Sequence, residues 1–349
     1  MNSKRFSVIA LLGVFIALLL FAGFNYMIDP LFQYHMPWFN MKPVITNERY
    51  QNAGVAKHFD YENIIMGNSM SENFLISDAN EALGGKTVKL TMSGSGALEW
   101  TKVLQIIKKN NIKPKNILFN LDSNVFDASN NEVMNDLPLY LYDDNRLNDV
   151  NYLLNFTILK SFSVQAVQKN YSNSVPDYNE VFVWANDFPY GREEVFKNFK
   201  RTDISKEIPD INQIKNNTLN NVGLIKDYIT SMKDTNFIFY YSPFSMLYWD
   251  GQVRSNMVNA RKCCYISSCK ELIKYDNVKI YLWSDNEMLN IMSNLDNYKD
   301  QEHYSGDISK LILKRIKHNK GLVSRKTYSR SIDKLFEYIA DFDYNKLYS

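Results

Sequence analysis

The chain of 349 residues has only three cysteines and four histidines, and both scarcities narrow its chemistry. Cys263, Cys264 and Cys269 lie close together, and an odd number of cysteines does not form a complete disulfide framework. No histidine is near them in sequence to complete a zinc site, and no other His/Asp cluster has metal-ligand spacing. The sequence therefore predicts no metal and no cofactor. It leaves one local disulfide or none as open interpretations of the cysteines.

A large excess of charge of one sign is also lacking, because 40 Lys and Arg residues oppose 38 Asp and Glu residues and give a net charge of +2. Nucleic-acid-binding proteins normally concentrate basic charge on one surface. The nearest approach to such a patch is the stretch 310–326, whose pattern is typical of a solvated helix face and the loop after it. We therefore expect no nucleic-acid partner.

Charge is entirely missing from residues 6–24, FSVIALLGVFIALLLFAGF. With the residues up to 28, this stretch reaches the ~20 residues that a helix needs to cross a bilayer. Lys4 and Arg5 precede it, and positive charge stays on the cytoplasmic side of a membrane. The pattern predicts an uncleaved, single-pass signal anchor with a cytoplasmic N-terminus and the bulk of the chain extracytoplasmic. A signal peptide cleaved near Ala22–Gly23 is the alternative.

Beyond residue 60, short apolar runs alternate with amphipathic stretches. The runs predict strands at 63–66, 88–92, 116–121, 236–241 and 278–283, and the stretches predict helices at 71–83, 97–109, 253–275, 305–318 and 331–342. Such alternation is typical of an α/β fold with three layers, α/β/α, around a mainly parallel sheet. In such sheets ligands bind beyond the carboxyl ends of the strands.

The alternation predicts three parts: a membrane segment at 1–30, a juxtamembrane segment at 31–60 and an extracytoplasmic domain at 61–349. The rhythm stops between 125 and 233, where the chain is rich in Asn, Tyr and Asp. We interpret this interval as a large insertion after the third strand, over the ligand-bearing edge of the sheet. Its aromatic residues could line a sugar-binding lid or form a local core; they are Tyr140, Tyr142, Trp184 and Tyr190.

Three side chains have the order and type of a Ser-His-Asp triad. Ser69 follows the first strand, and Asp300 precedes His303 by three residues. A serine hydroxyl becomes a nucleophile when a base takes its proton and a third group orients that base. Each segment also has a structural alternative. Ser69 to Glu72 reads as a capping box, S-x-x-E, and Asp300 and His303 could cap or pack against the next helix.

The blocks around these residues resemble the SGNH (GDSL-like) hydrolases. Gly67-Asn68-Ser69-Met70 is similar to the GDS(L) block, with Asn68 where Asp is usual, and Asp300 with His303 matches the D-x-x-H block. The resemblance implies an SGNH (flavodoxin-like) fold and an oxyanion hole formed by Ser69, Gly94 and Asn124, with Gly96 as an alternative to Gly94. The G-x-N-D block would fall on 122–125, which keeps Asn124 but lacks the Gly and the Asp.

A membrane anchor before such a domain resembles proteins of cell-envelope acylation, such as the D-alanyl transfer protein D family. This resemblance implies a serine esterase or acyltransferase that acts on acyl groups of an envelope polysaccharide or glycopolymer. The implied partners are that glycopolymer or an acyl donor, and a membrane-bound acyltransferase. A non-catalytic, membrane-anchored scaffold for envelope polymer synthesis is the alternative, and the residues missing from the third block favour it.

Overall fold

The computed structural model describes residues 3–128 and 136–348, apart from the side chain of Asn124. The chain forms two compact units. The N-terminal unit consists of residues 1–60 and 135–181, and the sheet unit consists of residues 61–134 and 182–349.

The helices of the described residues are α1 Ser3–Ile28, α2 Glu48–His58, α3 Ile76–Leu83, α4 Ala97–Lys109, α5 Ser123–Phe126, α6 Val150–Leu153, α7 Phe156–Ile158, α8 Val164–Tyr171, α9 Arg192–Lys197, α10 Ile211–Ser231, α11 Met246–Arg254, α12 Val258–Leu272, α13 Asn286–Ser293, α14 Gly306–Lys317 and α15 Tyr328–Asp341. A π-helical turn, Leu159–Ser163, joins α7 to α8. Several 3₁₀ turns connect the other elements, among them Ser69–Ser71 and Arg146–Asp149.

The strands of the described residues are β1 Asn63–Gly67, β2 Thr87–Thr91, β3 Asn116–Asn120, β4 Asn236–Tyr240, β5 Val278–Tyr281 and β6 Leu322–Val323. They form one sheet in the order β2-β1-β3-β4-β5-β6. The first five strands are parallel, and β6 is antiparallel to β5. The predicted α/β class with a mainly parallel sheet is therefore confirmed.

Burial of β1, β3 and β4 explains why their sequences are largely apolar without alternation. Every residue of β1 is buried, as are the last four of β3 and of β4. Parallel strands covered on both faces show this pattern. The edge strand β2 is also buried throughout, although its sequence, TVKLT, alternates polar and apolar residues. The register places Gly67 opposite Thr91, and Asn120 opposite Tyr240. The chain order reverses between β1 and β3, and ligands bind at such a switch point.

Two predicted helices differ from the structure. The helix predicted at 71–83 begins only at Ile76, after the 3₁₀ turn Ser69–Ser71. The helix predicted at 253–275 is the C-terminal part of α11 followed by α12. The break falls at Asn256, whose φ of 60° is left-handed, a conformation that Asn tolerates better than most residues.

The interval predicted to be an irregular insertion contains a long helix, α10, which packs against α4 and α12. Five asparagines and Gly223 lower the helix propensity of this segment and obscure its periodicity. Its apolar face is nevertheless spaced as in a helix, with Val222, Ile225 and Ile229 buried. The Asp210 side chain accepts hydrogen bonds from two backbone N–H groups of the first turn and begins the helix.

The three cysteines all lie in α12. Cys263, Cys264 and Cys269 are free thiols, so no local disulfide forms. Burial raises the pKa of Cys264 and of Cys269 to about 12, which makes both thiols poor nucleophiles. In the N-terminal unit, α1 is long and apolar enough to span a membrane.

Gly67 ends β1 with a φ of 144°, and a Cβ there would overlap the side chains of Asn120 and Ser71. We therefore expect Gly67→Ala to lower the free energy of unfolding by about 2 kcal/mol or more. The measurement is thermal or urea unfolding of the detergent-solubilised full chain. The control is Gly223→Ala, because a Cβ at that helical position meets no atom within 4 Å. It should raise the stability by about 0.5–1 kcal/mol. Equal stabilities for the Gly67→Ala variant and the wild type would contradict the expectation.

Candidate active site

The turn that contains Ser69 follows β1 directly. The side chain of Asn68 caps it, because Asn68 Oδ1 accepts a hydrogen bond from Met70 N at 3.0 Å. The capping-box interpretation of Ser69 is therefore wrong: Asn68 is the capping residue here, and α3 begins later without a side-chain cap. Ser69 stands at the carboxyl edge of the sheet and leaves its hydroxyl for other partners.

Ser69, His303 and Asp300 form a continuous hydrogen-bonded chain. Ser69 Oγ lies 3.0 Å from His303 Nε2, and His303 Nδ1 lies 2.8 Å from Asp300 Oδ2 and 3.1 Å from Asp300 Oδ1. An ionised carboxylate only accepts, so Nδ1 carries the proton when the ring is neutral. Nε2 then offers its lone pair to the serine hydroxyl. This is the arrangement of an activated nucleophile with an oriented base.

The loop of Asp300 and His303 sets the ionisation of the acid. Burial raises the pKa of Asp300, but the hydrogen bond and charge of His303, with backbone N–H groups of His303 and Glu302, outweigh burial and lower the pKa to about 2. Asp300 Oδ1 accepts both backbone bonds at 2.8 Å. Asp300 therefore remains a carboxylate at neutral pH and can stabilise a protonated imidazole.

Two tyrosines donate hydrogen bonds to the serine turn, one from this loop and one from β4. Tyr304 OH donates to the carbonyl oxygen of Met70 at 2.9 Å, and Tyr240 OH donates to the same oxygen at 3.3 Å. Tyr304 follows His303 directly, and Tyr240 ends β4. Met70, beside the nucleophile, and Tyr304, beside the base, are therefore joined by a buried hydrogen bond.

Below the serine turn lies a buried polar network that has Asn120 at its centre. Asn120 Oδ1 accepts from Asn68 N at 3.2 Å and from Ser71 Oγ at 3.1 Å. Asn120 Nδ2 donates to Asn68 Oδ1 at 3.0 Å and to Asp122 Oδ2 at 2.6 Å. This network fixes the residues on either side of Ser69 to the end of β3.

Asp122 is the charged member of that network and is fully buried. Burial raises its pKa to about 6, although hydrogen bonds from Ser242 and Asn120 oppose the shift. Ser242 N and Ser242 Oγ donate to its two oxygens at 2.9 and 2.8 Å, which ties β4 to β3. Asp122 thus supports the site from below and does not contact Ser69 Oγ.

Two of the three predicted oxyanion donors are backbone N–H groups that the structure describes, and the third is a side chain that it does not. The backbone N–H groups of Ser69 and Gly94 make no hydrogen bond to the described part of the chain, and Gly94 has a φ of 68°. Gly96 N donates to Glu99 Oε2 at 3.1 Å, so it serves the start of α4, which favours Gly94 over Gly96. Asn124 belongs to α5, and its side chain lies outside the described residues.

An aromatic group and a lysine border the base. The Trp184 ring meets the His303 ring edge-on, with centroids 5.2 Å apart. Lys299 Nζ lies 4.7 Å from the centroid of Trp184 and 4.2 Å from that of Phe188, and 3.5 Å from Asp300 Oδ2. Such cation–π contacts are worth about 0.5–2 kcal/mol. Lys299 therefore links the 184–188 segment to the orienting acid.

A cavity of about 600 Å³ opens beside these residues. Phe188 and Phe199 supply apolar surface to it, and Lys299, Glu302 and His303 supply polar groups. Burial raises the pKa of the Glu302 carboxyl. A concave site with aromatic faces and a few converging polar groups is typical of a small-ligand or sugar site.

Sequence reasoning missed Asn120, Asp122 and Lys299. A signal for the first two exists, since they are polar residues at and just after the end of a buried apolar strand. Of the aromatic residues predicted for a lid, Trp184 contacts His303, whereas Tyr142 OH donates to the backbone of Arg49 at 2.7 Å within the N-terminal unit.

Comparison of the sequence with protein-family models and with curated proteins found no match.

The raised pKa of Asp122 predicts a pH dependence of stability. Between the ordinary carboxyl pKa of 3.8 and about 6, the folded state binds a proton that the unfolded state has lost. Stability should therefore fall as the pH rises through this window, by up to about 2–3 kcal/mol from this group.

The variant Asp122→Asn should flatten this slope in thermal unfolding measured from pH 4 to pH 7. The control is Asp187→Asn, which removes an exposed carboxylate of the same unit and should keep the wild-type slope. An unchanged slope in Asp122→Asn would show that another group carries the dependence.

Proposed function

We propose that the chain is a serine esterase or acyltransferase of the SGNH type, built on a three-layer α/β/α fold. The observation that carries this proposal is the hydrogen-bonded chain from Ser69 Oγ through His303 to Asp300. Its location supports the same proposal, because the nucleophile stands beyond β1 at the point where the strand order reverses.

In the proposed reaction, Ser69 Oγ attacks an acyl carbonyl carbon while His303 Nε2 takes the hydroxyl proton. The backbone N–H groups of Ser69 and Gly94, with the side chain of Asn124, receive the negative charge on the carbonyl oxygen. The tetrahedral intermediate then expels the leaving group, which takes the proton from His303. A sugar hydroxyl or water attacks the acyl-enzyme in the reverse sequence and releases Ser69.

The proposed substrates are acyl groups of a cell-envelope polysaccharide or glycopolymer. The aromatic and polar lining of the cavity beside His303 supports a sugar, because aromatic faces pack against sugar rings while polar groups bind hydroxyls. Helix α1 supports a single-pass anchor, and Lys4 and Arg5 in its first turn support a cytoplasmic N-terminus with the bulk of the chain extracytoplasmic. A membrane-bound acyltransferase is the proposed protein partner.

A non-catalytic scaffold for envelope polymer synthesis is the second candidate. The observation that favours it is the third sequence block, where Asp122 and Val125 replace the Gly and Asp of the family pattern. Asp122 is used in a buried network instead. Loss of one oxyanion donor typically costs ~10²–10³ in rate, so a site with a weakened hole would turn over slowly, and a binding role would then matter more than catalysis.

The nucleophile is tested with a fluorophosphonate probe on the full chain in detergent. Ser69 should be labelled, as located by mass spectrometry, because His303 activates its hydroxyl. Ser69→Ala should abolish labelling, whereas Ser77→Ala, an exposed serine in α3, should keep it. Two results together would establish the scaffold. The wild-type protein would resist labelling, and cells that carry Ser69→Ala or His303→Ala in its place would retain full biological activity.

The orienting acid is tested by Asp300→Asn. An amide can donate to Nδ1, which favours the wrong tautomer, so kcat for p-nitrophenyl acetate hydrolysis should fall by about 10³–10⁴-fold. The control is Asp307→Asn, an exposed change in the first turn of α14 that should leave kcat unchanged. Melting temperatures of both variants check the fold. Wild-type kcat in Asp300→Asn would remove Asp300 from the mechanism.

A further inference from the structure

The last turn of α1 is hydrogen-bonded to the segment that begins with the 3₁₀ turn Arg146–Asp149 and ends with the π-helical turn Leu159–Ser163. Asn25 Nδ2 donates to the carbonyl oxygen of Leu153 at 3.0 Å, and Asn25 Oδ1 accepts from Ser163 Oγ at 2.7 Å. Asn25 and Ser163 are fully buried. Because Asn25 is three residues before the end of α1, these hydrogen bonds place the Leu153 backbone beside the C-terminal part of the helix.

A second contact fixes the same segment from beyond the end of α1. The carboxylate of Asp29 accepts from Tyr152 OH at 2.7 Å and from the backbone N–H groups of Gln33, Tyr34 and His35. Tyr152 is buried, and its carboxylate partner and its burial both keep its hydroxyl protonated by raising the pKa. These hydrogen bonds hold the segment against the C-terminal end of α1.

Four of the exposed side chains of this segment are large and apolar, although exposed polar residues such as Asn151 and Thr157 lie among them in the sequence. We define an apolar collar as the side chains of Leu147, Val150, Leu154 and Phe156, all of which are exposed. Leu147 is 89% exposed and Phe156 is 67% exposed. The spacing 147, 150, 154 is that of one helical stripe, and the inward side chain of the same segment is Tyr152. Single exposed apolar side chains are ordinary, but several on one short segment beside an apolar helix are typical of a contact surface.

Aromatic residues surround the same end of α1. His35 stacks on Trp38 with ring centroids 3.9 Å apart, and its Nε2 lies 2.9 Å from the carbonyl oxygen of Tyr26 in the last turn of α1. The Tyr26 ring meets both of these rings edge-on. Tyr and Trp concentrate at membrane–water interfaces, where one part of the ring is apolar and another is hydrated.

We propose that the collar is a second membrane contact, which inserts into the leaflet that α1 leaves at Ile28. The occupant is lipid because the collar adjoins the helix that would enter the bilayer, at the depth of that helix's last turn. Apolar side chains at that depth gain about 25 cal/mol for each Å² removed from water. The N-terminal unit is therefore seated on the bilayer rather than tethered above it. This inference rests on the membrane anchoring proposed for α1 and is independent of the proposed catalysis.

Site-specific fluorescence in the full chain tests the collar. Single cysteines are introduced by Leu147→Cys and Phe156→Cys in a Cys263→Ser background, since Cys264 and Cys269 are fully buried. Each is labelled with bimane, and the protein is reconstituted into phosphatidylcholine–phosphatidylglycerol vesicles. A phosphatidylcholine with a nitroxide on its acyl chain should quench the fluorescence of both labels. The quenching should be at least about two-fold stronger than that of a bimane label exposed to water, because a nitroxide quenches only labels that come close to the acyl chains.

Two further positions make the outcome specific. Leu11→Cys reports on α1 itself, and Ile208→Cys is the control for non-specific partitioning of the label, because Ile208 is also apolar and is 84% exposed. Quenching at 11, 147 and 156 but not at 208 is the expected result.

Quenching at 11 alone would overturn the collar and leave the anchor intact. Absence of quenching at 11 would overturn both. A blue shift at 147 and 156 without nitroxide quenching would show a protein cover and would also overturn the assignment to lipid.

Discussion

The side-chain amide of Asn120 is the constraint on which the candidate site depends. Its oxygen accepts two hydrogen bonds and its nitrogen donates two, so the buried group has all four of its bonding positions used. Its partners Asn68 and Ser71 flank Ser69. A buried group with full pairing has one low-energy arrangement, because any rotation leaves a donor or acceptor unpaired at a cost of about 1–3 kcal/mol. The backbone position of Ser69 follows from that arrangement, and its hydroxyl then meets His303 Nε2.

Much of the sheet could be predicted from local sequence. The apolar runs of β1, β3 and β4 are continuous and short, and buried parallel strands need that composition. Helix α4 could be predicted for a similar reason, since its apolar residues recur at helical spacing. Helix α10 could not, because its buried face includes Thr218 and Asn221, and a polar residue on a packed face carries no periodic signal. Its stability comes from packing against α4 and α12 rather than from propensity.

The site likewise has contacts that could be predicted from the sequence and contacts that could not. Asp300 and His303 are three residues apart, and the bonds between them are local, so their pairing is visible in the sequence. The contact between Ser69 and His303 spans 234 positions. It could be predicted only through the rule that parallel strands present their carboxyl ends at one edge. The positions of Trp184 and Lys299 follow from no such rule, because a cation over a ring depends on tertiary packing alone.

The ammonium group of Lys299 gives the site a property that the triad alone would not have. Asp300 and the faces of Trp184 and Phe188 share that single positive charge. Lys299 and Phe188 also line the cavity, so a guest molecule there would lie next to the positive charge that neighbours the triad acid. A guest that moved the Phe188 ring would change the surroundings of that charge, and with them the electric field at the imidazole.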